Sequence, residues 1–258
     1  METSLFISDK KEIFSVLLLS DFHVGRNLAE KRLFELEKLQ LIEKLAEKKE
    51  IKVVLVLGDL IEGFTEKNKE YLFSPQIFQD QAGDFCESLP RFGVPVFYIT
   101  GDHDVVEIDG VRYNASNYLK RSDLIYLGHN EASVCINNYR VLMAHKLTGL
   151  KNDSKQVAKN FIRYKTTDKY GNDIDWTYDI VAKGHFHSQR QITYKGVFYT
   201  AVPSFVNVIN GYNFERGMMP GCKILNLHNY DGVKSVSEEI YFFDKDVLED
   251  VPVLVKHF

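Results

Sequence analysis

Residues 51–58, IKVVLVLG, contain a valine-rich apolar run that is too short for a typical helix and has no polar face. Such a run reads as a strand buried on both sides, which needs a packed layer above it and another below. The neighbouring segments can supply those layers. Residues 27–50 place Leu28, Leu33, Leu36, Leu39, Ile42 and Leu45 near helical spacing with charges between them, and Asn27 stands at the N-cap position. Residues 74–89 read as a second helix, with Ser74 as N-cap and Pro75 in its first turn. Residues 14–20 (FSVLLLS) and 94–100 (VPVFYIT) are further strands. Strand, helix, strand, helix, strand is the order of a layered α/β sheet.

The later half turns to hairpins. ASVCINNYRVLMAH (132–145) folds back at Asn137-Asn138, QITYKGVFYTAV (191–202) at Lys195-Gly196, and residues 221–243 at Asp231-Gly232. Residues 152–165 predict a helix capped by Ser154. Neither a linker nor an internal repeat divides the chain, so residues 1–258 are expected to form one domain with two sheets packed face to face and flanked by helices.

Chemistry collects where the strands end. Asp21 and His23 follow the first run, Asp59 the second, and Asp102, His103 and Asp104 the third. His145 follows YRVLMA, and His185 and His187 follow YDIVAKG. Ligands of open α/β sheets bind beyond the carboxyl ends of the strands. In extended backbone, residues i and i+2 share a side, so each D-x-H or H-x-H pair is expected to aim two donors at one point. Carboxylates and imidazoles without cysteine suit Mn²⁺, Fe or Zn²⁺.

Composition narrows the setting. Hydrophobic residues make up 45% and charged residues 26%, enough for an ample core, and the net charge of -4 argues against broad electrostatic binding of nucleic acid. Cys86, Cys135 and Cys222 are far apart and odd in number, which suits a reducing compartment. The first residues lack a basic region followed by a long apolar stretch, and no run approaches the ~20 apolar residues of a membrane span. A cytoplasmic chain without membrane attachment is expected.

The ordered set D-x-H, G-D-x-x-E, G-D-H-D, H and G-H-x-H, over about residues 14–190, resembles the calcineurin-like metallophosphoesterase superfamily. The resemblance implies a four-layer α/β/β/α sandwich of two mixed sheets flanked by helices. It also implies a centre of two divalent cations, most simply Mn²⁺, with Fe or Zn²⁺ as alternatives. Asp21, His23 and His187 would hold one cation, His145 and His185 the other, with Asp59 shared and Asp102 completing the second position. His103 would serve the leaving oxygen and Asp104 would orient it. Two features depart from the family: Asp102 stands where relatives carry Asn, and His145-Lys146-Leu147 stands where many have His-Gly.

The implied activity is metal-dependent phosphoester hydrolysis, as a phosphodiesterase or nuclease. The start SDFHVGRN (20–27), which contains Arg26, is similar to that of the nuclease subunit of double-strand-break repair complexes. Lys151, Lys155, Lys159 and Arg163 recur at helical spacing and would form a basic face. The alternative is a nucleotide-type phosphatase whose pocket uses Tyr212 and Arg216 of residues 207–221, with Lys146 meeting the phosphate. A metal-binding scaffold without catalysis is the third reading. Glu62 reads either as a partner of the ligands or as a helix cap, and His129, His228 and His257 match no motif.

Overall fold

In chain order the strands and helices are β1 (Phe6–Ile7), β2 (Ile13–Leu19), α1 (Leu28–Lys48), β3 (Val53–Leu57), α2 (Pro75–Ser88), β4 (Val96–Thr100), β5 (Val105–Ile108) and β6 (Val111–Asn114), then β7 (Leu124–His129), β8 (Glu131–Ile136), β9 (Tyr139–Ala144), β10 (Ile180–Lys183), β11 (Arg190–Tyr194), β12 (Val197–Ala201), β13 (Gly221–Tyr230) and β14 (Val233–Phe242). They come from a computed structural model that describes residues 6–7, 13–25, 28–63, 74–146, 178–187, 189–194, 196–206, 219–230 and 233–243.

Two six-stranded sheets result. One runs β14-β13-β2-β3-β4-β7 and the other β1-β8-β9-β10-β12-β11, and β5 and β6 form a separate hairpin. The strands β2, β3, β4 and β7 are mutually parallel, and so are β9, β10 and β12, while antiparallel β13–β14, β8 and β11 extend the two sheets. The alternation of side chains divides each strand between two cores. Phe14, Val16, Leu18, Val53, Leu55, Leu57, Phe97 and Ile99 of the first sheet meet Val134, Val141, Met143, Ile180 and Phe198 of the second. Leu17, Leu19, Val54, Val56 and Tyr98 face the other way, onto Ile42 and Leu45 of α1 and Phe78 and Phe85 of α2. The two-sided burial expected for residues 51–58 is therefore observed, since every residue of β3 is buried.

The helix boundaries follow local chemistry. Ser74 caps α2 by accepting the Gln76 N–H at 3.2 Å, with Pro75 next to it. Helix α1 ends where Glu50 turns left-handed (φ 48°) and the Ile51 N–H bonds back to Ala46 O at 2.9 Å. Asn137 and Asn138 both take positive φ between β8 and β9, the mirror-image turn their pair predicts. A further hairpin, β5–β6, turns at Asp109-Gly110 by the same chemistry. The helix expected over 152–165, with its basic face, lies outside the described residues. Among the described residues no helix is long and apolar enough to cross a membrane.

Candidate metal centre

The carboxyl ends of β2, β3, β4, β9 and β10 lie together, and their loops carry the expected donors. The backbone there is not extended. Asp21, His23, Asp59, His185 and His187 have φ of 56°, 46°, 51°, 74° and 51°. The i, i+2 pairs therefore converge through left-handed turns, which corrects the expectation of an extended segment. Non-glycine residues occupy this region at a cost, and such strain concentrates at functional sites. Hydrogen bonds between the loops hold it in place. Asp21 N–H donates to Gly58 O at 3.0 Å, His23 N–H to Asp59 O at 3.1 Å, and Val24 N–H to Leu60 O at 3.1 Å. The parallel pairing of β2 and β3 is thus continued beyond the strands by the loops themselves.

Two donor groups adjoin each other. In the first, His187 Nε2 lies 3.2 Å from Asp21 Oδ1 and 3.3 Å from His23 Nε2. In the second, Asp59 Oδ2 lies 3.0 Å from His145 Nε2, with His185 beside them. Within each of the groups Asp21/His23/His187 and Asp59/His145/His185, the donor atoms lie within 4.8 Å of one another, and His23, Asp59 and His103 form a third such group that joins the two. Asp21 Oδ1 and His145 Nε2 are buried without a well-directed hydrogen bond. Buried polar atoms are normally satisfied, so these orphaned donors suit cations that would meet them.

The groups behind the donors fix which atom faces inward. His145 Nδ1 bonds Leu57 O at 2.7 Å, which leaves Nε2 for the site. His23 Nδ1 lies 3.0 Å from Glu62 Oε2, and His103 Nδ1 lies 2.7 Å from the Glu62 carbonyl. Glu62 therefore orients two imidazoles at once, one by its side chain and one by its backbone. Ser20 Oγ donates to Asp21 Oδ2 at 2.6 Å, and Ser204 Oγ donates to the Asp21 carbonyl at 3.1 Å. The Glu62 role was visible as one of two sequence readings. The carbonyls of Leu57 and Glu62 carry no signal in side-chain identity.

The carboxylates and imidazoles of this cluster act strongly on one another's charge. Burial opposes ionisation of Asp59, but the imidazoles of His145 and His23 outweigh it and hold the carboxyl far below the usual range. Burial likewise works against the His145 cation, yet Asp59 and Asp21 together lift it to about 9. His185 is pushed down to about 4 by burial and then by the charge on His145. The cluster thus holds positive charge between its carboxylates, which is the electrostatic demand a divalent cation meets.

Three expectations change. Asp104 does not orient His103: its Oδ1 accepts the Leu60 and Ile61 amides at 2.8 and 3.0 Å, and its Oδ2 accepts the Gly101 amide at 2.7 Å. It ties the loop after β3 to the loop after β4, and the orienting group of His103 is the Glu62 carbonyl. Asp102 is absent from all three donor groups. Its Oδ2 instead takes the Lys146 ammonium at 2.6 Å, so Lys146 is already engaged where it was expected to meet phosphate. Arg26, Tyr212 and Arg216 lie outside the described residues.

No curated protein matches the chain in sequence. Among solved structures, an archaeal phosphodiesterase is 15% identical, with 88% of this chain and 99% of that one covered and a TM-score of 0.46. Vps29 of Entamoeba histolytica complexed with Zn²⁺ is 16% identical, over 87% of this chain and 98% of that one, with a TM-score of 0.43. A predicted phosphoesterase of Streptococcus pneumoniae is 9% identical, over 88% and 98%, with a TM-score of 0.41. The family model for calcineurin-like phosphoesterases matches residues 14–199, the part that carries every donor named above, and the chain belongs to that family.

Proposed function

We propose that the protein hydrolyses phosphodiesters at a centre of two divalent cations, most simply Mn²⁺, with Fe or Zn²⁺ as alternatives. The supporting observation is the continuity of the donor groups, in which His23 and Asp59 link a position at Asp21/His187 to one at His145/His185. When bound, such a pair of cations holds a phosphoryl group and acidifies water for in-line attack.

The chain's own groups do the rest. Asp59, buried and ionised, would be shared by both positions. The Nδ1–H of His103 is committed to the Glu62 carbonyl, so as an imidazolium it can hand the Nε2 proton to the leaving oxygen. The His103 amide donates to Asp59 Oδ1 at 3.0 Å, which ties the proton donor to the shared ligand. A diester carries one negative charge and needs less compensation than a monoester dianion. With Lys146 occupied by Asp102, a diester suits the site better. A nuclease acting on single-stranded DNA is the form of this reading that the recurrence of Lys151, Lys155, Lys159 and Arg163 in the sequence would favour.

The test is turnover by the purified, Mn²⁺-loaded protein of bis-p-nitrophenyl phosphate, p-nitrophenyl phosphate and single-stranded DNA. Diester turnover exceeding monoester turnover is expected. Monoester turnover alone would move the reading to a nucleotide-type phosphatase. Bound metal with no turnover of any of the three would point to a scaffold.

A further inference from the structure

Asp21 is gripped from both sheets. It follows β2 of the first sheet, whereas Ser204 follows β12 and His185 follows β10, neighbouring parallel strands of the second. Ser204 Oγ donates to the Asp21 carbonyl at 3.1 Å, and the Phe205 N–H donates to the Ser20 carbonyl at 2.9 Å. The carboxylate is held as well: its Oδ2 accepts the Ser20 hydroxyl at 2.6 Å and the His185 N–H at 3.1 Å. Oδ1 is the atom left over, buried without a well-directed hydrogen bond and 3.2 Å from His187 Nε2. The segment that carries Ser204 is itself fixed. The Val206 N–H donates back to Ser204 Oγ at 3.3 Å, and the Gly221 N–H donates to the Ser204 carbonyl at 2.9 Å. From the helix side, the buried Lys38 ammonium of α1 donates to the Phe205 carbonyl at 2.9 Å.

We propose that Ser204 is a positioning residue for the cation position at Asp21/His187, holding the left-handed turn of Asp21 so that Oδ1 faces His23 and His187. The inference rests on the two-cation reading above. At φ 56° the Asp21 backbone is in a conformation that a residue with a Cβ adopts at a cost, and that persists where its surroundings over-determine it. Turning Asp21 out of that conformation would swing its carbonyl and its carboxylate together. The Ser204 hydroxyl meets the carbonyl, so it opposes the swing without occupying either carboxylate oxygen. A cation arriving at Oδ1 does not compete for it. The hydroxyl has one proton for two carbonyls, those of Asp21 and Val206 at 3.1 Å each, and so ties the two turns together at a single atom. Ser204 is 3% exposed, which keeps bulk water from taking over its role.

Cation affinity resolved by site, rather than turnover, is the direct readout. Calorimetric titration with Mn²⁺ is expected to resolve two sites in the wild-type protein, of which His187→Ala removes the one at Asp21. Ser204→Ala, which deletes only an oxygen, should weaken that site about tenfold and leave the other within about twofold, since groups that orient metal ligands act on the ligand they hold. In the His187→Ala background the same Ser204→Ala change should leave the remaining site within about twofold, because the Asp21 turn no longer serves a cation. Equal weakening of both sites, or weakening of the remaining site in that background, would reduce Ser204 to a general stabilising contact and overturn the proposal. So would unchanged affinity of the Asp21 site in Ser204→Ala. Failure of the wild-type protein to bind two divalent cations would instead sink the two-cation reading, so the two failures are distinct.

Discussion

His23 and His187 face each other through their Nε2 atoms at 3.3 Å, across a sequence separation of 164 residues. Two imidazole nitrogens gain nothing from each other at that distance unless a proton or a cation stands between or beside them, and Asp21 Oδ1 closes the triangle at 3.2 Å from His187. His187→Ala is therefore expected to remove one equivalent of bound Mn²⁺, counted by plasma mass spectrometry, and to abolish hydrolysis while the fold persists. Retention of both equivalents would show that this triangle is not a cation position.

Glu62 touches no substrate in this scheme, yet it holds His23 by its carboxylate and His103 by its carbonyl. Glu62→Gln keeps the carbonyl and weakens only the contact with His23. We expect about a 10–100-fold loss in metal affinity or activity. Excess Mn²⁺ should restore most of the turnover, because His103 remains oriented. A loss that Mn²⁺ leaves untouched would place the role of Glu62 elsewhere.

Gly101 has no room for a side chain. A Cβ there would lie 2.3 Å from Asp59 Oδ1 and 2.6 Å from His145 Nε2, inside the donor group itself. Gly101→Ala should therefore displace the shared carboxylate and reduce activity to background. Circular dichroism should stay near that of the native protein, since the strands on either side keep their pairing. Near-native activity would mean that Asp59 can shift without consequence.

The donors were legible because each is a charged residue just past an apolar strand, a contrast that survives without any structure. Their geometry was not. An extended segment would also have paired Asp21 with His23, and only the backbone angles reveal left-handed turns in its place. Asp104 misled because its neighbour in sequence, His103, is not its neighbour in hydrogen bonding; three amides from two loops claim it first. The Asp102–Lys146 contact depends on how β4 and β9 are placed in separate sheets, which no local pattern encodes.

His145 gives the metal-free protein a pH signature. Its folded value of about 9 exceeds the usual 6.5, because the carboxylates of Asp59 and Asp21 outweigh burial. The native state then binds more protons than the unfolded chain between those values. The stabilisation is complete below pH 6.5 and is lost as pH rises through about 9. A cation needs the same Nε2 lone pair, so Mn²⁺ affinity should rise over that interval as Tm of the chelated protein falls. His145→Gln should flatten the Tm slope. An unchanged slope in that variant would assign the proton to another group.

Away from the centre, a buried lysine pairs with a glutamate of its own sheet and reaches across to the other sheet. Lys223 of β13 donates to Glu238 Oε1 of β14 at 2.6 Å and to Thr200 Oγ1 of β12, in the opposite sheet, at 2.9 Å. Both charged side chains are fully buried, and burial pushes the Lys223 ammonium down while Glu238 pulls it back. Removing one partner leaves the other buried without its counter-charge. Glu238→Ala should cost about 3–5 kcal/mol, read as a fall in Tm on the order of 10 °C. The double variant Lys223→Met/Glu238→Leu leaves no orphaned charge and keeps apolar volume between the sheets, so it should recover most of that loss. Equal destabilisation of the single and double variants would show that Thr200 and the Arg190 carbonyl, 3.3 Å from Lys223 Nζ, matter more than the ion pair.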